Sequence, residues 1–163
     1  MVTVYLALGS NLGNREEYLR AGIGGLVTRG VEIVRCASVY STEPREVLDQ
    51  PWFLNTAVEA NTQLPAHELL RACLEVEEEN HRVRNVVKGP RTLDIDIIFY
   101  GDKIIRNPGL TIPHPSFFSR RFVLAPLAEL APDFVDPLSR KSIRQLLDEC
   151  EDHSSIQRRG WLQ

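Results

Sequence analysis

Val31-Glu32-Ile33-Val34-Arg35-Cys36-Ala37-Ser38-Val39 and Phe53-Leu54-Asn55-Thr56-Ala57-Val58-Glu59-Ala60-Asn61 follow one another with only the Pro44- and Pro51-containing connection Ser41 to Trp52 between them. Both stretches alternate loosely between apolar and polar residues, the period of a strand with one buried face. Two strands in direct succession argue against an alternating parallel arrangement, because parallel neighbours need a crossover that is usually a helix. Upstream, Val2 to Leu8 reads as a buried strand stopping at Gly9-Ser10-Asn11, and a helix starts at Asn14 with Glu16 and Glu17 in its first turn, where the helix dipole favours acids. Gly22, Gly24 and Gly25 weaken that helix by about 1 kcal/mol each relative to alanine, and Gly30 ends it. Downstream, Pro65 opens a second helix that carries Leu69, Leu70, Cys73, Leu74 and Val76 to about Asn80. Leu93 to Tyr100 is the next strand, and Gly101-Asp102 turns into Lys103-Ile104-Ile105 as a hairpin return. The order β-α-β-β-α-β predicts a ferredoxin-like α+β sandwich, a mainly antiparallel sheet with helices packed on it.

At 163 residues the chain is expected to form one domain spanning 1–163. The stretch from about Glu151 is polar enough to be loosely held, apart from a possible anchor at Trp161. Prolines from Pro108 to Pro137 punctuate short helical pieces around Phe122 to Leu130 and Ile143 to Cys150. Lys and Arg number 19 against 22 Asp and Glu, a net charge of −3, so no global basic field exists to hold nucleic acid or an anionic membrane. Apolar runs fall far short of the roughly 20 residues that span a bilayer, and the N-terminus lacks a signal-peptide pattern. These features predict a cytoplasmic protein, and it is expected to work as a monomer on small molecules. The three cysteines, Cys36, Cys73 and Cys150, are odd in number and have no C-x-x-C spacing, which argues against disulfides or a thiolate zinc site.

The chemistry is concentrated in Leu93-Asp94-Ile95-Asp96-Ile97-Ile98-Phe99-Tyr100. Strand geometry places Leu93, Ile95, Ile97 and Phe99 on one face and Asp94 and Asp96 on the other, roughly 6.5–7 Å apart. Two such carboxylates repel unless a cation lies between them. Magnesium suits the pattern, since it takes one or two carboxylates and fills its other positions with water and substrate phosphate. A bare D-x-D also describes the wet face of an antiparallel strand. Arg82, Arg84, Lys88 and Arg91 immediately upstream, in a loop broken by Gly89-Pro90, favour the phosphate reading, because guanidinium forks match phosphate oxygens. A solvated loop with surface ion pairs is the competing reading. Neither a P-loop nor G-x-G-x-x-G occurs.

The run Lys88-Gly89-Pro90-Arg91-Thr92-Leu93-Asp94-Ile95-Asp96-Ile97-Ile98 resembles the signature of the 6-hydroxymethyl-7,8-dihydropterin pyrophosphokinase family. Further segments match in the same order: Gly9-Ser10-Asn11-Leu12, Val39 to Pro44, Asp49 to Asn55, Arg82-Val83-Arg84, Thr111-Ile112-Pro113-His114, and Arg121-Phe122. The similarity covers about residues 2 to 150. It implies transfer of pyrophosphate from ATP to the hydroxymethyl group of the dihydropterin, giving AMP, on a ferredoxin-like fold with two magnesium ions. By that resemblance Asp94 and Asp96 hold the ions, and Arg82 and Arg91 contact the transferred group. Arg84, Lys88, His114 and Arg120 add phosphate contacts, and Leu70, Ile97, Leu110 and Thr111 take the adenosine side. Phe53, Phe122 and Asn55 match the pterin positions, with Thr42, Glu43 and Arg45 contacting the ring mainly through backbone groups.

Taken alone, Phe53 and Phe122 read as core aromatics and His114 as a structural histidine. The chain departs from the family pattern at Lys88, at the apolar pair Val86-Val87, at Gly109 and at Pro115. The two long loops, Ser41 to Trp52 and Arg82 to Thr92, are expected to close over substrates and exclude water. A non-catalytic module of the same fold that binds a nucleotide or metabolite is the alternative; it would bind ligand without consuming it.

Overall fold

The computed structural model describes residues 1–44, 49–81 and 92–162. Its elements are β1 (Val2–Ser10), α1 (Arg15–Val27), β2 (Val31–Cys36), β3 (Val39–Thr42), β4 (Phe53–Thr62), α2 (Ala66–Glu79) and β5 (Asp94–Tyr100). After these come β6 (Ile105–Asn107), β7 (Leu110–Ile112), α3 (Arg121–Leu130), α4 (Ile143–Glu149) and β8 (Ile156–Gly160). The main sheet runs β5-β1-β4-β3-β8, with β2 also on β4, and every pairing in it is antiparallel. That is the expected α+β sheet.

Local sequence explains the elements. Asn14 caps α1, its Oδ1 accepting the Glu17 N–H at 3.2 Å, which satisfies one of the helix's orphan donors. Gly25 explains part of the glycine-rich second half of α1: an added Cβ would lie 2.9 Å from a Val76 methyl, so its absence lets α1 and α2 approach closely. On α2, Leu69, Ala72, Cys73 and Val76 form the buried stripe. Leu69, Cys73 and Val76 meet Val4, Leu6 and Leu8 of β1 in one core, where each fully buried aliphatic side chain contributes about 1.5–3 kcal/mol.

A second core lies on the opposite face, where Tyr5, Ala57 and Phe99 of the sheet pack against Val123, Leu124 and Leu127 of α3 and Ile143 of α4. The sheet is therefore covered on both sides. Arg35 fastens this layer: its Nη2 donates to the Leu130 carbonyl at 2.7 Å and to Glu59 Oε1 at 2.7 Å.

Four expectations are corrected. The strand read as continuous over Val31 to Val39 is broken into β2 and β3 at Ala37-Ser38, both on β4. Phe99 does not share a face with Leu93, Ile95 and Ile97. Tyr5 pairs with Phe99 while Leu6 pairs with Ile97, so Ile98 is the extra residue of a β-bulge, and the alternation reverses beyond it. Ile105 does not return along β5 either, because β6 pairs with β7 in a separate hairpin.

The stretch from Glu151, expected to be loosely held, contains β8, which pairs with β3 from Thr42↔Ile156 to Val39↔Gly160. An edge strand needs only backbone partners, so its exposed Gln157, Arg158 and Arg159 give no apolar signal. Arg158 adds a side-chain tie, its Nε donating to Ser38 Oγ at 2.9 Å. Glu129 of α3 accepts from Ser38 N–H at 2.8 Å and from the Tyr40 hydroxyl at 2.7 Å, joining α3, β3 and β8.

Candidate active site

One row of residues crosses the sheet near the end of β1. Asp94 of β5 lies opposite Gly9 of β1, Gly9 opposite Asn55 of β4, and Asn55 opposite Tyr40 of β3. The next row joins Asp96, Ala7 and Ala57. Residues opposite one another share a face, so glycine and alanine leave room beside the two carboxylates. Asp94 and Asp96 are both half-buried. The alternation predicted for them holds, because the bulge comes after them.

Gly9 is required by close approach. A Cβ there would meet Asn55 Oδ1 at 2.5 Å, and buried Asn55 is held in place by its Nδ2, which donates to Thr42 Oγ1 at 2.7 Å. Phe53 pairs with Thr42 and is half-buried. Thr42, Glu43, Phe53 and Asn55 are thus brought together at the end of β3 and β4. Phe122, at the start of α3, is half-buried beside the second core, and the Arg120 guanidinium lies 5.8 Å from its ring centroid, within cation–π range.

Leu70, Ile97, Leu110 and Thr111 line one cavity of about 300 Å³, and Asp96 and His114 line it too. The hairpin β6–β7 supplies Leu110 and Thr111, and α2 supplies Leu70. Asp96 therefore belongs both to this cavity at the β5 edge and to the acidic row on the sheet.

His114 is placed by the bulge, its backbone N–H donating to the Ile98 carbonyl at 3.1 Å. Its Nδ1 accepts the Ser116 N–H at 3.2 Å, which leaves the ring proton on Nε2. Burial, and then the positive charge of Arg120, push its pKa down to about 4, with Asp94 pulling the other way. The imidazole is neutral near pH 7 and presents an N–H donor.

Arg45, Arg82, Arg84, Lys88 and Arg91 lie outside the described residues, as do residues 45–48 of the first loop expected to close over substrates and 82–91 of the second. Among the described residues no group of three or more His, Cys, Asp or Glu gathers as a metal cage. The carboxylates of Asp94 and Asp96 are hard-oxygen donors, the ligand type that magnesium takes.

Sequence reasoning gave no role to Glu77 or Asn11. Glu77 of α2 is 3% exposed, and its Oε2 accepts the Ile95 N–H at 2.7 Å, fastening the backbone between the two aspartates. Its signal was an acid four residues after Cys73 on an apolar helix stripe. Asn11 Nδ2 donates to Gln50 Oε1 at 2.9 Å and to the Pro51 carbonyl at 3.0 Å, tying the end of β1 to the start of β4.

Residues 5–132 match the model of the 7,8-dihydro-6-hydroxymethylpterin-pyrophosphokinase (HPPK) family. The chain is 40% identical over 159 residues to the 2-amino-4-hydroxy-6-hydroxymethyldihydropteridine pyrophosphokinase of Methylorubrum extorquens, covering 97% of this chain and 99% of that protein. It is 45% identical over 127 residues to the protein of the same name in Bacillus subtilis, covering 77% of this chain and 76% of the relative. A match at 39% identity to the folic acid synthesis protein fol1 of Pneumocystis carinii covers 92% of this chain but only 20% of that longer protein. Among solved structures, Plasmodium falciparum HPPK-DHPS with pteroate superposes with a TM-score of 0.73 at 15% identity, covering 91% of this chain and 42% of that one; the likeness is one of fold. The chain belongs to the HPPK family.

Proposed function

We propose that this chain transfers pyrophosphate from ATP to the hydroxymethyl oxygen of 6-hydroxymethyl-7,8-dihydropterin, giving AMP and the pterin diphosphate. The observation that carries the reading is the position of Asp94 and Asp96. They lie between the cavity lined by Leu70, Ile97, Leu110 and Thr111 and the site framed by Thr42, Phe53 and Asn55. A nucleotide base and ribose fit the first, whose volume is about 300 Å³. A flat heterocycle fits the second, where Asn55 offers an amide edge and Phe53 and Phe122 offer ring faces.

Asp94 and Asp96 would hold magnesium, two ions by the family resemblance, which would supply positive charge against phosphate oxygens. The protein's own part is positional. Neutral His114 presents its Nε2 proton to a phosphate oxygen, and Arg120 sets a fixed positive charge beside the Phe122 ring. Glu77 holds the β5 backbone so that both carboxylates keep their facing. Arg82 and Arg91 act on the transferred group, with Arg84 and Lys88 as further phosphate contacts and Arg45 beside the pterin. Charge is thereby stabilised where it develops, in a site that excludes water.

The reading has a cytoplasmic monomer working on two small molecules, without nucleic acid or membrane. No described helix is long and apolar enough to cross a membrane. Phosphorus NMR of a reaction with ATP, magnesium and the hydroxymethyl dihydropterin tests it. AMP and a pterin-bound diphosphate in equal amounts are expected; ADP with a pterin monophosphate, or ligand bound and not consumed, would reject it.

A further inference from the structure

The residues just before β8 join the two sides of the pocket assigned above to the pterin. Asp152 Oδ2 accepts the backbone N–H of Arg121 at 3.0 Å, and Arg121 Nη1 donates to the Ser154 carbonyl at 3.1 Å. Both contacts fall on the first residue of α3, next to Phe122. Asp152 Oδ1 also accepts the Ser154 N–H at 3.0 Å, which folds the segment onto itself. One residue further on, Ser155 N–H donates to Glu43 Oε1 at 2.6 Å, and its carbonyl accepts the Glu43 N–H at 3.2 Å. Ile156 then pairs with Thr42. These hydrogen bonds and the Ile156–Thr42 pairing therefore bind the Phe122 side to the Thr42–Glu43 side, and the strand that follows is anchored through Arg158 and Ser38.

We propose that Asp152 to Ile156 is a strap that sets the spacing of the pterin pocket, with Asp152 and Ser155 as positioning residues for that substrate. The inference rests on the functional reading above. A strap that only held the fold together would affect both substrates alike. Among the described residues its hydrogen bonds go to Arg121 and Glu43 and not to those lining the β5-edge cavity, so its loss is expected to fall on the pterin. Small misplacements of a binding wall cost about tenfold or more in affinity or rate.

The test measures pterin binding by calorimetry in the presence of magnesium and a nonhydrolysable ATP analogue, and separately measures binding of the analogue alone. Asp152→Ala and Glu43→Ala are expected to weaken pterin binding about tenfold and to raise the pterin KM with a smaller change in kcat. Analogue affinity should stay within about twofold, and Asp152→Asn, which keeps a carbonyl acceptor, should recover part of the loss. Unchanged pterin binding in Asp152→Ala and Glu43→Ala, or equal weakening for both ligands, overturns the strap while leaving the functional reading intact. A wild-type chain that binds the analogue but no pterin removes that reading and the strap's role with it. Ser155→Pro, which deletes the N–H donated to Glu43, supplies an independent variant should Asp152→Ala fail to fold.

Discussion

The backbone N–H of His114 donates to the carbonyl of Ile98 at 3.1 Å, and Ile98 is the residue by which β5 slips its register against β1. The bulge thus turns a backbone acceptor toward the segment after β7 and brings an imidazole to the edge of the acidic row. Bulges that re-aim side chains beside functional sites are a recurrent device of β-sheets.

A first prediction follows from that placement. If the neutral His114 ring donates from Nε2 to a phosphate oxygen, His114→Ala loses a hydrogen bond to a charged group, worth about 1.5–3 kcal/mol. The KM for ATP should rise by about 10- to 100-fold, with the pterin KM much less affected. Steady-state kinetics with each substrate varied in turn makes the comparison, and equal KM values in the two proteins would remove His114 from the nucleotide side.

The same residue gives a pH dependence. Its folded pKa is about 4 against an ordinary 6.5, chiefly through burial. Between those values the unfolded chain binds a proton that the folded chain does not, so stability rises with pH across the window. The contribution is complete above about 6.5 and is lost as the pH falls toward 4. Urea unfolding in EDTA should show a shallower rise in stability over this range for His114→Gln than for the wild type. Identical slopes would mean that the ring is not held neutral by its surroundings.

Gly9→Ala tests the close approach on which the acidic row depends. The new methyl would press on Asn55 Oδ1 at 2.5 Å, and Asn55 would have to give up its bond to Thr42 or push β4 away. Overpacking of this kind costs about 1–3 kcal/mol. Chemical denaturation should show that loss, and the pterin KM should rise with it; a variant of unchanged stability and pterin KM would show that the site has slack.

Cys73 gives a control on packing. It is fully buried in the α1–α2 core, and burial, then Glu77, pushes its thiol up to about 12. In the native protein an aromatic disulfide reagent should modify the half-buried Cys36 and Cys150 well before Cys73, since only the thiolate attacks. In denaturant all three should react together. Early labelling of Cys73 in native conditions would contradict the packing of α2 against β5.

Much of this architecture was legible in the residues. The alternation of Val31 to Val39 and Phe53 to Asn61, with no helix between them, was enough to choose an antiparallel sheet, and the spacing of Asp94 and Asp96 put them on one face. The bulge was hidden because Ile97-Ile98-Phe99-Tyr100 is apolar throughout, so a reversal of facing leaves no mark. Strand β8 was hidden for the opposite reason: Gln157, Arg158 and Arg159 are polar on every side, and pairing through backbone groups alone has no side-chain signature. Glu77 was overlooked because a helix pattern is read from its apolar members, whereas its carboxylate is buried to satisfy a donor on the neighbouring strand. Leu70, Ile97, Leu110 and Thr111 came from the family resemblance, since no local pattern connects residues on three separate elements; the fold brings all four to one cavity.

The most direct measurement of the central claim is AMP formation by the wild type, Asp94→Asn and Asp96→Asn at saturating ATP, pterin and magnesium, with circular dichroism confirming that each protein is folded. Each replacement keeps the size of the side chain and removes its charge. If the two carboxylates hold the charge that stabilises transfer, each folded variant turns over roughly 10²- to 10³-fold more slowly or worse, the loss typical of removing one electrostatic stabiliser from a transition state. Folded variants that form AMP at the wild-type rate would show that Asp94 and Asp96 carry no part of the transfer.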